Sequence, residues 1–100
     1  MKATLIPAHC VPLSRQVHVF NEAFRGYIGG FTPMELPGFA RLLASQGVDL
    51  SLSRFVIVGR SEAGFAYVNL TGGVVRVAGM GVIAAARGKG AGKRLLAEVL

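Results

Sequence analysis

Cysteine, tryptophan and acidic residues are scarce in this chain of 100 residues. It has one cysteine, Cys10, no tryptophan, and only 5 residues that are Asp or Glu. A single cysteine excludes an internal disulfide framework and fits a reducing compartment. No apolar run approaches the length of a membrane span, and the run near the start is too short for a signal peptide. We therefore expect a soluble, cytoplasmic protein.

Patterns typical of metal sites and of nucleic-acid interfaces are also missing. His9 and His18 are isolated, with no second ligand at the spacing of a metal site. The 11 Lys and Arg residues give a net charge of +6, but outside residues 87–94 they are spaced singly, without interleaved aromatic residues. We expect no metal, no nucleic-acid partner and no membrane partner.

What the chain does have is a high apolar content, 52%, and 14 glycines, which fit one small domain over residues 1–100. Ala3 to Ile6 reads as a first strand. Ser14 is the predicted N-cap of a helix that ends at the glycines of residues 26–30. A second helix is predicted to begin near Pro37 and to end at Gly47.

From Arg54 onward, β-branched and aromatic residues predict a three-stranded antiparallel meander. Gly79 and Gly81 lie inside its last strand, where they predict a bulge or a close approach by another group. A final helix follows a glycine-rich turn. The predicted segments are strand Arg54–Val58, hairpin loop 59–64, strand Phe65–Leu70, turn 71–73, strand Val74–Ile83 and the helix from Lys93.

The glycine-rich turn is the most informative stretch of the sequence. An apolar run from Met80 leads into Arg87-Gly88-Lys89-Gly90-Ala91-Gly92, and 4 of the 11 basic residues fall between Arg87 and Arg94. Glycines free the backbone N–H groups, a helix N-terminus supplies partial positive charge, and basic side chains add whole charges. This combination favours a phosphorylated ligand.

Two familiar phosphate-binding patterns fit this turn poorly. A P-loop needs a hydroxyl residue where Arg94 stands and a first glycine where Arg87 stands. Residues 79–84 do match the dinucleotide pattern G-x-G-x-x-A, but its helix would run through three glycines, each costing about 1 kcal/mol. An NAD-type fragment therefore stays a minor alternative. A plain cap on a surface helix is also disfavoured, because clustered cations oppose the helix dipole.

The turn matches R/Q-x-x-G-x-G/A, with Met80-x-Val82 on the strand before it and Leu95-Leu96 on the helix after it. In this it resembles the acetyl-CoA motif of the GNAT (Gcn5-related N-acetyltransferase) superfamily. The order strand, helix, helix, three strands, helix also resembles the front part of that α+β fold, with its mixed, mostly antiparallel sheet. We expect the C-terminal elements to be missing, so that the chain is part of something longer.

The resemblance implies that acetyl-CoA is the acyl donor. Its pyrophosphate would lie on the turn, and its pantetheine arm would pair with the strand before it, where a main-chain N–H polarises the thioester. The residues implied are, on the strand, Met80, Gly81 and Val82, and, on the turn, Arg87, Gly88, Lys89, Gly90, Ala91, Gly92 and Lys93.

The implied reaction is acetyl transfer to a primary amine of a small molecule or peptide. No catalytic residue can be assigned, since the last strand has no carboxylate and Tyr67 does not match the position of the family's usual tyrosine. Glu22, Glu35 and Asp49 read as solvated or capping residues. A non-catalytic module that binds CoA or a nucleotide is the alternative, and a second copy of the chain, in a homodimer, is a candidate partner.

Overall fold

Strands and helices follow one another in the order that the sequence predicts. A computed structural model describes residues 3–25, 30, 32–88 and 90–99. Short 3₁₀ turns cover Ala8–Cys10 and Ala84–Ala86. The main elements are β1 (Ala3–Pro7), α1 (Leu13–Phe24), α2 (Leu36–Ser45), β2 (Arg54–Val58), β3 (Ser61–Thr71), β4 (Val74–Val82) and α3 (Ala91–Val99).

The strands form one antiparallel sheet in the order β1-β2-β3-β4. Leu5 pairs with Val56, and Val56 pairs with Gly64, so the first three strands are in continuous register at this point. Within the described residues, β4 is an edge strand. The predicted α+β class is therefore confirmed, and the dinucleotide-binding alternative, which requires a parallel βα unit, is not supported.

Two cores lie on opposite faces of the sheet, as the alternation of side chains along β3 predicts. Phe65 and Tyr67 pack against α1 and α2 in an aromatic core with Phe39 and Phe55. On the other face, Ala66 belongs to a core that includes Leu95 of α3. The sheet is thus covered by α1 and α2 on one side and by α3 on the other.

Several element boundaries differ from the prediction. Helix α1 begins at Leu13 with Pro12 as its N-cap, so Ser14 lies inside the first turn. The predicted hairpin loop 59–64 is wrong in length, because β3 already begins at Ser61. A register shift beside Val56 lets these polar and small residues pair with β2 despite their weak strand propensity. Of the glycines predicted to end α1, those at 26 and 29 lie outside the described residues.

The structure has both features that were predicted as alternatives in this strand, a bulge beside Gly79 and a close approach of other groups at Gly81. Tyr67 pairs with Gly79 while Val68 pairs with Val77, which leaves Ala78 as the extra residue of a bulge in β4. A Cβ built on Gly81 would lie 3.0 Å from the Ala23 Cβ and from the Phe65 ring. Glycine at 81 therefore lets α1 approach the sheet. No helix in the described part of the chain is long and apolar enough to cross a membrane.

Candidate functional site

The end of β4 and the beginning of α3 lie side by side, which brings the two halves of the predicted site together. A Cβ built on Gly92 would lie 3.2 Å from the Met80 Cε and 3.6 Å from a Val82 methyl carbon. A side chain at 92 would therefore press on the flexible end of Met80, which would have to shift by a few tenths of an ångström. These short distances show that the N-terminus of α3 lies beside the edge strand.

The turn between β4 and α3 is open on its outer side. Gly88 and Gly90 both have φ of +79°, a conformation that residues with a Cβ rarely adopt. Cβ atoms built on these two glycines would meet no described heavy atom within 4 Å. The space beside these two glycines is therefore free of described atoms.

Helix α3 presents its N-terminus at this open turn. Its first hydrogen bond runs from the Arg94 N–H to the Gly90 carbonyl, so the N–H groups of the first turn have no helical acceptor. No acidic residue lies in that turn, while Lys93 and Arg94 are exposed there. Free N–H groups, the helix dipole and the exposed Lys93 favour an anion at this point, while the Arg94 guanidinium donates a hydrogen bond to the Ala3 carbonyl over 3.1 Å.

Arg87 holds the start of the turn in place. Its Nε donates a hydrogen bond to the Val82 carbonyl over 3.0 Å, and its second guanidinium nitrogen donates to the Ala23 carbonyl. Ala23 is in the last turn of α1, where carbonyl groups lack helical donors and a cation is favourable. The guanidinium therefore links β4, the turn and α1, a role that the sequence pattern does not reveal.

The structure brings most of the predicted site residues into one region. Met80, Gly81 and Val82 lie on the edge strand opposite Ala66, Phe65 and Gly64. The others lie in the turn and in the first turn of α3, except Lys89, which is outside the described residues. The members of this second group that the structure describes are Arg87, Gly88, Gly90, Ala91, Gly92 and Lys93.

Glu22 on α1, Glu62 on β3 and Asp49 in the loop before β2 are engaged in structural contacts. Glu62 accepts a hydrogen bond from Arg15 over 2.8 Å, and Glu22 pairs with Arg25 over 3.1 Å. Both pairs line a cleft of about 460 Å³ between α1 and the residues that follow β4. Asp49 caps its own loop, and hydrogen bonds from Ser51 hold the pKa of its carboxyl below the usual value. The capping and surface roles expected for Glu22 and Asp49 thus agree with their contacts.

Tyr67 belongs to a buried hydrogen-bond network. Its hydroxyl donates to the Gln16 Oε1 over 2.7 Å, and the Gln16 Nε2 donates to the carbonyls of Ala8 and Val11. Burial raises the pKa of Tyr67 well above its ordinary value of 10. The phenol is therefore protonated at neutral pH, and its contacts fix α1 to the sheet.

A second, smaller cleft opens between α1, α2 and the bulge in β4. Its volume is about 190 Å³, and its described lining is mostly apolar. The sequence predicts the apolar helix faces that form it, but not that they leave a space beside β4. The signal that could have indicated this is Gly79, a strand glycine at which a built Cβ would meet no described atom within 4 Å. Among the described residues no cluster of His, Cys, Asp or Glu could hold a metal ion.

Solved structures of N-acetyltransferases match this architecture. The ribosomal-protein-S18-alanine N-acetyltransferase from Escherichia coli superposes with a TM-score of 0.73 at 15% identity over 98% of this chain. An N-acetyltransferase from Staphylococcus aureus Mu50 gives 0.68 at 17% identity over 99%. AAC(6')-Iy, in complex with the bisubstrate analogue CoA-S-monomethyl-acetylneamine, gives 0.64 at 17% identity over 99%.

These matches establish that the chain has the GNAT fold, as its sequence motif predicts. The chain covers 57%, 64% and 69% of the three matched structures, respectively, so it corresponds to only part of their fold. No family model matches the sequence, and no curated protein matches it either. The similarity of this chain to known proteins is therefore a similarity of fold.

Proposed function

We propose that the edge strand β4 and the turn before α3 bind acetyl-CoA, and that the protein is an N-acetyltransferase acting on a primary amine. The observation that carries the proposal is the closeness of Gly92 to β4, since a Cβ built on Gly92 would lie 3.2 Å from the Met80 Cε and 3.6 Å from a Val82 methyl carbon. A helix N-terminus beside an edge strand suits the pyrophosphate and the amide-rich arm of one extended ligand, which supports the proposal. AAC(6')-Iy was solved with a CoA-containing analogue, which supports CoA as the ligand here.

In this proposal, each part of the site has a separate task. The main chain of Gly88 and Gly90 to Lys93 holds the pyrophosphate, and the open space over the turn leaves room for it. The main chain of residues 80–82 orients the thioester, and an N–H group there stabilises the negative charge that develops on the carbonyl oxygen. Arg87 positions the turn through its bonds to Val82 and Ala23.

The reaction joins the amine nitrogen to the carbonyl carbon of the acetyl group and breaks the carbon–sulfur bond. An ammonium group must first lose one proton, and the neutral amine then attacks. The second proton leaves the nitrogen and is taken up by the departing thiolate, so the products are an acetamide and CoA. In this proposal the first proton passes to solvent.

Mass spectrometry of reaction mixtures tests this function. The protein is incubated with acetyl-CoA and, separately, with polyamines, amino-acid amides and short peptides, and products heavier by one acetyl group are sought. Acetylated amine that forms only with the protein supports the proposal. CoA binding without any acetylated product would instead favour a non-catalytic CoA-binding module. A preference for NADH over acetyl-CoA in calorimetry would contradict both.

A further inference from the structure

The larger cleft, between α1 and the residues that follow β4, is not used by the proposed function. Its volume of about 460 Å³ lies within the range of about 300–1,000 Å³ that is typical of small-molecule sites. Its walls come from α1, from the start of β3 and from the segment after β4. The lining residues that matter here are Arg15, Val19, Glu22, Glu62, Ile83 and Ala84.

An ion pair joins two walls of this cleft. The Arg15 Nε on α1 donates a hydrogen bond to the Glu62 Oε1 on β3 over 2.8 Å. The second ion pair in the lining, between Glu22 and Arg25, lies within α1 at a spacing of three residues. Arg15 and Glu62 therefore hold a cation and an anion side by side on two different elements, which the second pair does not.

The Arg15–Glu62 pair has bonding capacity to spare. A guanidinium carries five N–H donors and a carboxylate has two acceptor oxygens, and this pair uses one of each among the described contacts. The Arg15 side chain is 48% exposed, so its other donors are accessible to a ligand. Because an exposed ion pair contributes little to stability, it can share its charges with a ligand at a small cost.

We propose that the larger cleft binds a free amino acid with an apolar side chain. The amino-acid carboxylate would bind the Arg15 guanidinium, and its ammonium group would bind the Glu62 carboxylate. The side chain would lie against Val19, Ile83 and Ala84. A zwitterion matches adjacent charges of both signs, whereas a ligand with one sign of charge meets one attractive and one repulsive group.

The cleft also borders the residues that anchor the glycine turn. Ile83 and Ala84 shortly precede Arg87, whose guanidinium donates to the Ala23 carbonyl of α1. A ligand that contacts both α1 and the segment after β4 favours the spacing at which Arg87 reaches Ala23. We therefore expect the amino acid to strengthen CoA binding, and CoA to strengthen amino-acid binding by the same factor. This coupling, unlike the amino-acid site itself, rests on the proposed function.

Nuclear magnetic resonance of the ¹⁵N-labelled protein tests the amino-acid site without CoA. L-leucine, 4-methylpentanoate, which lacks the ammonium group, and L-leucinamide, which lacks the carboxylate, are titrated separately. At pH 6.5 the amine of leucinamide is mostly protonated. We expect leucine to give saturable shifts at the amides of Val19, Glu62 and Ile83 and to bind at least tenfold more tightly than either analogue. Equal or tighter binding of an analogue, or the absence of saturable leucine shifts at these residues, would overturn the inference.

Variants that remove one charge assign each contact. Arg15→Gln should reduce the preference for leucine over leucinamide at least threefold, because the ligand carboxylate loses its partner. Glu62→Gln should reduce the preference for leucine over 4-methylpentanoate by a similar factor. Glu22→Gln removes a carboxylate from the same cleft and is the matched control, in which leucine affinity should change less than twofold. Unchanged preferences in folded Arg15→Gln and Glu62→Gln, or an equal loss of leucine affinity in Glu22→Gln, would overturn the inference.

Calorimetry with CoA tests the coupling and separates it from the proposed function. With leucine at saturation, CoA should bind at least threefold more tightly than it does without leucine. Equal CoA affinity with and without leucine, when both ligands bind, would overturn the coupling. Absence of CoA binding, with leucine still bound in the cleft, would contradict the proposed function together with the coupling, but not the amino-acid site.

Discussion

The Arg87 guanidinium donates a hydrogen bond to the carbonyl of Ala23, a residue 64 positions earlier in the chain. The same Ala23 carries the methyl group that approaches β4 where Gly81 has no side chain. One residue of α1 therefore contacts both the strand and the turn of the candidate site. This relationship makes the position of the turn depend on the packing of α1 against the sheet.

The first prediction concerns this contact. Arg87→Lys keeps the charge, but one ammonium group cannot reproduce the guanidinium fork that reaches Val82 and Ala23. We expect a loss of about 1–2 kcal/mol in the free energy of unfolding. A hydrogen bond from a charged group contributes about that much, and the two hydrogen bonds of Arg87 are partly exposed to solvent. Urea denaturation measures the loss, with Arg60→Lys as a control in an exposed turn.

The two outcomes for Arg87 separate two roles. Lower stability together with weaker acetyl-CoA binding is the expected result for a residue that positions the turn. Unchanged stability with a selective loss of affinity would show that Arg87 contacts the phosphates directly, as the sequence motif alone suggests.

A pair of glycine variants tests the packing of α1 against β4. Gly81→Ala forces a methyl group against Ala23 and Phe65, so it should cost about 1–3 kcal/mol of stability, as overpacking in a core does. Gly79→Ala meets open space and should change stability by less than about 0.5 kcal/mol. Thermal unfolding of both variants measures the difference, and equal losses would contradict the placement of α1.

The third prediction concerns the contribution of the buried hydrogen bond between Tyr67 and Gln16 to stability. Tyr67→Phe removes the hydroxyl and leaves the Gln16 Oε1, in a side chain that is 1% exposed, without this donor. We expect a cost of about 1–3 kcal/mol in the free energy of unfolding. Thr71→Val removes an exposed hydroxyl from the same strand and should cost little. If the two variants are equally stable, the network does not hold α1 to the sheet.

The same residue predicts a loss of stability at high pH. Burial raises the pKa of Tyr67 in the folded protein above its ordinary value of 10. The unfolded chain releases this proton above pH 10 and the folded protein does not, so stability is complete below pH 10 and falls above it. The fall should be about 1.4 kcal/mol per pH unit. Urea denaturation at several values between pH 8 and pH 11 measures the free energy of unfolding. Its decrease with pH should be smaller in Tyr67→Phe than in the unchanged protein, and the same decrease in both would contradict the burial of the phenol.

A fifth prediction concerns the charge of the ligand on the turn. Gly90→Gln and Gly90→Glu impose the same side-chain size and the same backbone strain, about 1 kcal/mol at a φ of +79°. Only the glutamate adds a negative charge where phosphate is proposed to bind. We expect Gly90→Glu to bind CoA at least tenfold more weakly than Gly90→Gln in calorimetry at low salt. Equal affinities would mean that the turn does not hold the phosphates.

The sequence predicts the order of elements because apolar periodicity reflects local structure directly. It places the end of α2 at Gly47, whose φ of +62° is the left-handed conformation that favours glycine after a helix. It fails at the start of β3, where polar residues pair with β2 through a register shift that only the neighbouring strand can impose. Strand pairing of this kind overrides local propensity.

The candidate site, too, is predicted by the sequence where it depends on local residues and is not predicted where it depends on contacts between distant segments. The glycine and basic pattern indicates an anion-binding turn, because those residue types act through local backbone geometry. The link from Arg87 to Ala23 and the cleft at Gly79 depend on contacts between distant segments, which one sequence does not encode in a readable pattern. The closeness of Gly92 to Met80 and Val82 likewise emerges only when β4 lies beside α3.

Titration of the ¹⁵N-labelled protein with acetyl-CoA tests the central claim most directly. We predict saturable shifts in the amide signals of residues 80–82, 88 and 90–93, with the signals of the Gly72-Gly73 turn unchanged. NADH at the same concentrations should produce no saturable shifts at these residues. Absence of saturation by millimolar acetyl-CoA, or shifts confined to other residues, would contradict the assignment of β4 and the glycine turn as the donor site.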